Sequence, residues 1–247
     1  MNIKKHIPNL LTLGNLLCGT IATIFAVQGF FIAAAILVVI GIFFDFLDGF
    51  AARLLNVSGE LGKQLDSLAD MVTSGVVPGI IMTSLMYESG FKFISEDSSN
   101  SNQYLTYVSY FGLLLTLGAC YRLAKFNIDT RQSNSFIGLP TPAMCLFVIS
   151  LPLIQEYSSI EFIQNLISNN YFLIAITLIL TYLMNAEIPL FSLKFKDYSV
   201  KNNAIKYIFL LASLMMIILL KYLSIPLIII LYVILSVINN YGNKAAV

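Results

Sequence analysis

The sequence predicts an all-α, polytopic membrane helix bundle. Of its 247 residues 58% are hydrophobic and 11% charged, and the mean hydropathy is +0.84. Apolar runs repeatedly reach the roughly 20 residues that a helix needs to cross a bilayer. The polar stretches between them are too short for a soluble domain of ordinary size, so residues 1–247 read as one membrane domain. A helix satisfies its own backbone hydrogen bonds in lipid, which makes it the natural form for such runs.

The elements follow in order. Lys4 and Lys5 precede the first apolar run as in a signal peptide, but no small-residue cleavage site leads into a soluble sequence, so 10–26 is expected to be a retained first helix. The connection at Gln28-Gly29 is so short that the second helix, 30–53, must run back antiparallel. Further helices are expected at 63–87, 104–127, 139–155 and 171–190, and a last pair at 203–220 and 223–241 meets at a tight turn. Between the fifth and sixth, Ile160, Ile163 and Ile167 have helical spacing, which suits either a short interfacial helix or an extension of the sixth span.

About eight spans put both termini on one side. With that side cytoplasmic, all of the 14 Lys and Arg except Lys92 and Lys221 fall inside, and the outer loops carry Glu88, Glu96, Asp97, Glu156 and Glu161. Other chemistry lacks material. His6 is the single histidine, and Cys18, Cys120 and Cys145 have no metal-ligand spacing. A net charge of +1 without a dense basic run offers nothing to a nucleic acid.

Against this apolar background four aspartates stand out, in the pattern Asp45-x-x-Asp48-Gly49-x-x-Ala52-Arg53, eight residues, then Gly62-x-x-x-Asp66-x-x-x-Asp70. Each carboxylate in a bilayer costs roughly 2.5–3.5 kcal/mol, about 10 kcal/mol for the four, unless positive charge shares the site. Spacings of three and four residues put each pair on one helix face, and two facing helices then present four hard oxygen ligands. These suit Mg²⁺ or Mn²⁺, with open positions for phosphate oxygens. Gly49, Ala52 and Gly62 keep the cleft free of bulk, Arg53 supplies a phosphate-matching cation, and Glu60 lies off the pattern as a solvated charge.

At these residues the chain resembles the CDP-alcohol phosphotransferase family, whose motif is present in full from Asp45 through Asp70. The resemblance implies a transferase with a six-helix core, in which a CDP-linked donor lies over two divalent ions and a hydroxyl acceptor displaces CMP. By position it implies that Asp45, Asp48, Asp66 and Asp70 are metal ligands and that Asp70 is also the general base. Gly49, Ala52, Arg53, Gly62 and Asp66 match the donor contacts, with Ser58 as a further candidate for donor phosphate. The Ser58-Gly59 pair departs from the hydroxyl residue frequent in the family a few residues after the arginine, and Ser74 stands where Phe is frequent.

Further stretches resemble the bacterial members that transfer a phosphatidyl group from CDP-diacylglycerol to L-serine: 7–19, 65–70, 122–127 and 136–143, with weaker echoes at Leu183-Met184 and 191–194. That resemblance implies a protein of the bacterial cytoplasmic membrane, its site facing the cytoplasm, and a homodimer. Serine needs a cation for its carboxylate, and Arg122 and Lys125 are the candidates; positive-inside anchoring is their alternative role. Glycerol phosphate or inositol phosphate is the alternative acceptor. A cation-coupled transporter is the rival from another class, but it predicts acids near mid-membrane and inverted repeats, whereas these acids sit at the inner end of their helices.

Overall fold

The computed structural model describes residues 6–89, 107–129, 136–191, 199 and 203–244. Helix α1 (His6–Val27) and helix α2 (Phe31–Leu54) form the expected antiparallel hairpin. Its turn is a Schellman closure: Gly29 adopts φ +80°, its N–H reaches the Ala26 carbonyl at 3.2 Å, and the Phe30 N–H reaches Phe25 at 2.9 Å. Asn56 (φ +52°) closes α2 in the same way, with the Val57 N–H on the Ala52 carbonyl at 3.0 Å. That turn carries the chain from Arg53 round to Ser58 and Gly59.

Helix α3 runs from Glu60 to Ser89, 30 residues long, and is interrupted by a π-helical segment at Met71–Val76. A π segment displaces the regular i→i−4 ladder and leaves carbonyls to be met from outside. Here Thr116 donates to the Gly75 carbonyl at 2.9 Å, and the Cys145 thiol to that of Thr73 at 3.6 Å. The segment starts immediately after Asp70.

Helix α4 (Leu114–Ile128) follows a 3₁₀ turn at Tyr110–Leu113, and α5 covers Thr141–Tyr157. The short helix α6 (Glu161–Ile167) is bent by 70° from α7 (Asn170–Asn185). Of the two readings of the three isoleucines, a separate short helix is the observed one. Asn169 caps α7, its side chain accepting from the N–H groups of Tyr171 and Phe172. Helices α8 (Ala204–Leu220) and α9 (Ser224–Lys244) complete the bundle, joined through Lys221 at φ +49°.

A departure from pure helix is the two-residue antiparallel pairing of β1 (Phe136–Ile137) with β2 (Pro189–Leu190). It ties the chain between α4 and α5 to the end of α7. Gly138 (φ +73°) is required at this crossing, because a Cβ there would stand 2.4 Å from the Met184 carbonyl oxygen.

A helix therefore stands at each of the eight expected places, so far as the described residues reach. Spanning is a stricter matter. Among the described residues four helical stretches are long and apolar enough to cross a membrane, five if the bent α6–α7 pair counts as one, and this marks an integral membrane protein. Helix α5 has 17 residues, about 25 Å at 1.5 Å per residue, which is shorter than a hydrocarbon core of about 30 Å.

The core lies where α1, α2, α3, α4, α5 and α7 meet, around Val38, Ile81, Met82, Leu115, Met144 and Leu173. Small residues let the helices close up: a Cβ at Gly19 would meet the Thr73 hydroxyl at 2.2 Å, and one at Gly79 the Thr116 hydroxyl at 2.1 Å. Helix α8, in contrast, buries Phe209 alone and exposes Leu211, Leu214, Ile218 and Leu219. Such a face suits lipid.

Candidate active site

The C-terminal end of α2 and the N-terminal part of α3 face each other and bring the aspartates together. Carboxylate oxygens of Asp45, Asp48 and Asp66 lie within 4.8 Å of one another. Asp48 is buried at 6% exposure; the other two are half-buried. Like charges this close repel strongly in a medium poorer than water. Among the described residues no Lys or Arg stands within ion-pair distance of any of the four aspartates, since the ion pair found joins Lys125 to Glu187. Three hard oxygen donors with no ion-pair partner among the described residues fit a divalent cation, as the motif implied.

Asp70, one turn further along α3, stands outside this three-carboxylate set. Its carboxylate accepts a hydrogen bond from Asn15 Nδ2 at 3.2 Å and lies within electrostatic reach of the buried Arg122. Arg122 is 7% exposed, its guanidinium sits 5.9 Å above the Phe126 ring, and its Nε has no partner among the described residues.

Beside the carboxylates a cleft of about 350 Å³ opens. Gly49, Ala52, Arg53, Ser58, Gly62 and Asp66 all line it, as do Gly59 and Val57 from the turn after α2. A Cβ at Gly49 would lie 3.7 Å from Arg53 Nη1 and one at Gly62 3.5 Å from Asn9 Oδ1, both ordinary contacts, so the protein packing alone does not demand glycine at either position. Arg53 and Lys63 line the same cleft as Asp48 and Asp66 and bring two positive charges to it. Such cations would suit the oxygens of a phosphate group.

The structure separates the two expected acceptor cations. Arg122 is buried near Asp70, whereas Lys125 points away to Glu187 at 3.3 Å, and neither lines the cleft. Lys125 thus acts here as a tie between α4 and the segment after α7.

Helix α1 was not singled out for a role from sequence, yet it contributes Pro8, Asn9 and Thr12 to the cleft and Asn15 to Asp70. The signal was present as polar residues at every third position of an otherwise apolar helix. On the other flank Asn127 holds α3 from α4: its side chain exchanges hydrogen bonds with Ser67 at 2.9 and 3.2 Å, and its carbonyl accepts from Lys63 Nζ at 2.5 Å.

The fold and the site together define a membrane-embedded transferase with a carboxylate centre. The family model for CDP-alcohol phosphatidyltransferase matches residues 5–183, and the chain belongs to that family. Relatives include the CDP-diacylglycerol–serine O-phosphatidyltransferase of Bacillus subtilis, 35% identical over 152 residues, which are 59% of this chain and 76% of that one. The protein of the same name from Helicobacter pylori strain J99 is 35% identical over 151 residues, 60% of this chain and 58% of the relative. The archaetidylserine synthase of Methanothermobacter thermautotrophicus is 31% identical over 169 residues, 65% of this chain and 66% of that one. The chain thus spans less than two thirds of the last two. The intramembrane carboxylates belong to a transferase, and the ion-pathway reading falls. Helices α8 and α9 lie beyond the matched residues.

Proposed function

We propose that the protein transfers a phosphatidyl group from CDP-diacylglycerol to the hydroxyl of L-serine, releasing CMP. The observation that carries this is the set of three carboxylates within 4.8 Å beside a cleft lined by Gly49, Ala52 and Arg53. The names of the Bacillus, Helicobacter and Methanothermobacter relatives favour serine over a phosphorylated acceptor.

Asp45, Asp48 and Asp66, with Asp70 as a fourth, would hold one or two Mg²⁺ or Mn²⁺ ions. Such ions would supply positive charge for the pyrophosphate oxygens and Lewis acidity for the phosphoryl transfer. The chain's own residues do the rest. Arg53, Gly49, Ala52, Ser58 and Gly62 accommodate the donor's CDP group, and Asp70 takes the proton from the serine hydroxyl. Arg122 pairs with the serine carboxylate. The whole chain, 1–247, acts as one domain in the bacterial cytoplasmic membrane, as a homodimer with termini and site on the cytoplasmic side.

The test is direct: purified protein in detergent, given CDP-diacylglycerol, Mn²⁺ and one acceptor at a time, should release CMP with serine. Release with glycerol phosphate alone would transfer the reading to the other acceptor class.

Two further outcomes are expected. Arg122→Ala should raise the serine KM by about 10–100-fold, as loss of a charged hydrogen bond of about 1.5–3 kcal/mol implies. The donor KM should stay within about threefold of wild type; equal rises in both would assign Arg122 to packing or phosphate instead. For orientation, in a background free of Cys18, Cys120 and Cys145, a cysteine at Ser159 should react with an impermeant reagent outside intact cells and one at Glu60 should not. Both residues are exposed, and labelling in the opposite sense would invert the topology.

A further inference from the structure

Two polar side chains of α1 reach across to the aspartates on α2 and α3. Thr12 is 3% exposed and Asn15 fully buried. Thr12 Oγ1 stands 2.5 Å from Asp48 Oδ2 and 3.1 Å from the Pro8 carbonyl. A hydroxyl has one proton to donate. Threonines within helices commonly return it to the i−4 carbonyl, but here the shorter contact is to the carboxylate.

Asn15 makes the same point differently. Its Nδ2 donates to Asp70 Oδ1 at 3.2 Å, while its own Oδ1 is buried without a partner among the described residues. Buried amides normally satisfy both ends. The donor end of this buried amide is thus committed to Asp70, across the helix interface. The surroundings make room for the residue as it stands: a Cβ at Gly41 would lie 2.9 Å from Asn15 Oδ1, and Thr73 donates to the Asn15 carbonyl at 3.2 Å.

We propose that Thr12 and Asn15 are positioning residues of the reaction. Each holds one oxygen of an aspartate, Asp48 for Thr12 and Asp70 for Asn15, and so fixes the direction of the other oxygen. The proposal rests on the metal and base roles given above. Hydrogen bonds behind a metal ligand select one rotamer and spare the ion the cost of ordering it. For Asp70, outside the three-carboxylate set, the same restraint aims a carboxylate at the acceptor.

The test separates orientation from packing. Mn²⁺ binding to the purified full-length protein, without substrate, is followed by electron paramagnetic resonance, and CMP release is measured alongside. Thr12→Val keeps the shape and deletes the hydroxyl; it should weaken Mn²⁺ binding by about 10–100-fold. Thr12→Ser restores the hydroxyl and should bind within about threefold of wild type. Asn15→Leu should lower kcat by about tenfold or more with the donor KM near wild type, and Asn15→Ala is the substitute if the leucine variant does not fold. Serine as weak as valine at position 12, or full kcat in the Asn15 variant that folds, would overturn the proposal. Wild-type protein that binds no Mn²⁺ would instead remove the metal reading itself, and this inference with it.

Discussion

Asp45→Asn, Asp48→Asn and Asp66→Asn should each reduce CMP release by about 10²–10⁴-fold, the equivalent of several kcal/mol of lost charge stabilisation. A chelator should abolish it, and Mn²⁺ should bring it back. The physical ground is the geometry: three carboxylate oxygens within 4.8 Å and no Lys or Arg paired with any of them among the described residues. An amide keeps the shape and removes the charge that holds the ion. The same substitution relieves repulsion between the carboxylates, so the metal-free variants should unfold no earlier than metal-free wild type. Mn²⁺ should raise the thermal transition of wild type by mass action, and raise that of the variants less. Near-normal rates in all three variants would end the metal reading. Lost activity accompanied by early unfolding of the metal-free variants would show instead that the aspartates serve the fold.

The helix order and the aspartate motif were legible because both are local. Apolar length and short connections foretell helices, and Gly29 marks the first turn by itself. Of the residues lining the cleft, Gly49, Ala52 and Arg53 share one face of α2, a three- and four-residue spacing that can be counted along the chain, whereas Ser58 and Gly62 join them because the short turn after α2 brings the start of α3 alongside. Other features depend on partners far apart in sequence. Nothing near Lys125 announces that Glu187 will take it up, because the pairing depends on β1 meeting β2 and on how α4 packs against α7. The π segment at Met71–Val76 was likewise hidden. Its freed carbonyls are met by Thr116 and Cys145, from two other helices, and only the assembled bundle provides both. Thr12 and Asn15 stand between these cases. A polar residue every third position in an apolar helix signals a buried polar face, but which carboxylate each would meet required α1 to be packed against both α2 and α3.

Asp70→Asn should separate turnover from binding. A serine hydroxyl is a poor nucleophile near neutral pH, and a carboxylate within hydrogen-bond reach can accept its proton as the bond to phosphorus forms, an effect of about 10²–10⁴-fold. Asp70 suits this better than its neighbours. Asp45, Asp48 and Asp66 direct their oxygens at one another, so bound metal would engage them, whereas Asp70 lies one turn beyond and outside that set. Asn15 restrains one of its oxygens at 3.2 Å, and the buried Arg122 lies within electrostatic reach, where an amino-acid carboxylate could pair with it. Removing the charge at position 70 leaves the three-carboxylate set, Arg53 and the glycines of the cleft intact. The variant should therefore bind CDP-diacylglycerol within about threefold of wild type and lose kcat by the factor given above. Donor affinity, measured with a non-reactive analogue, and single-turnover CMP release are the two readings needed. Parallel loss of both would make Asp70 chiefly a fourth metal ligand. Retained turnover would take it out of the chemistry and leave the proton to a water or to substrate phosphate.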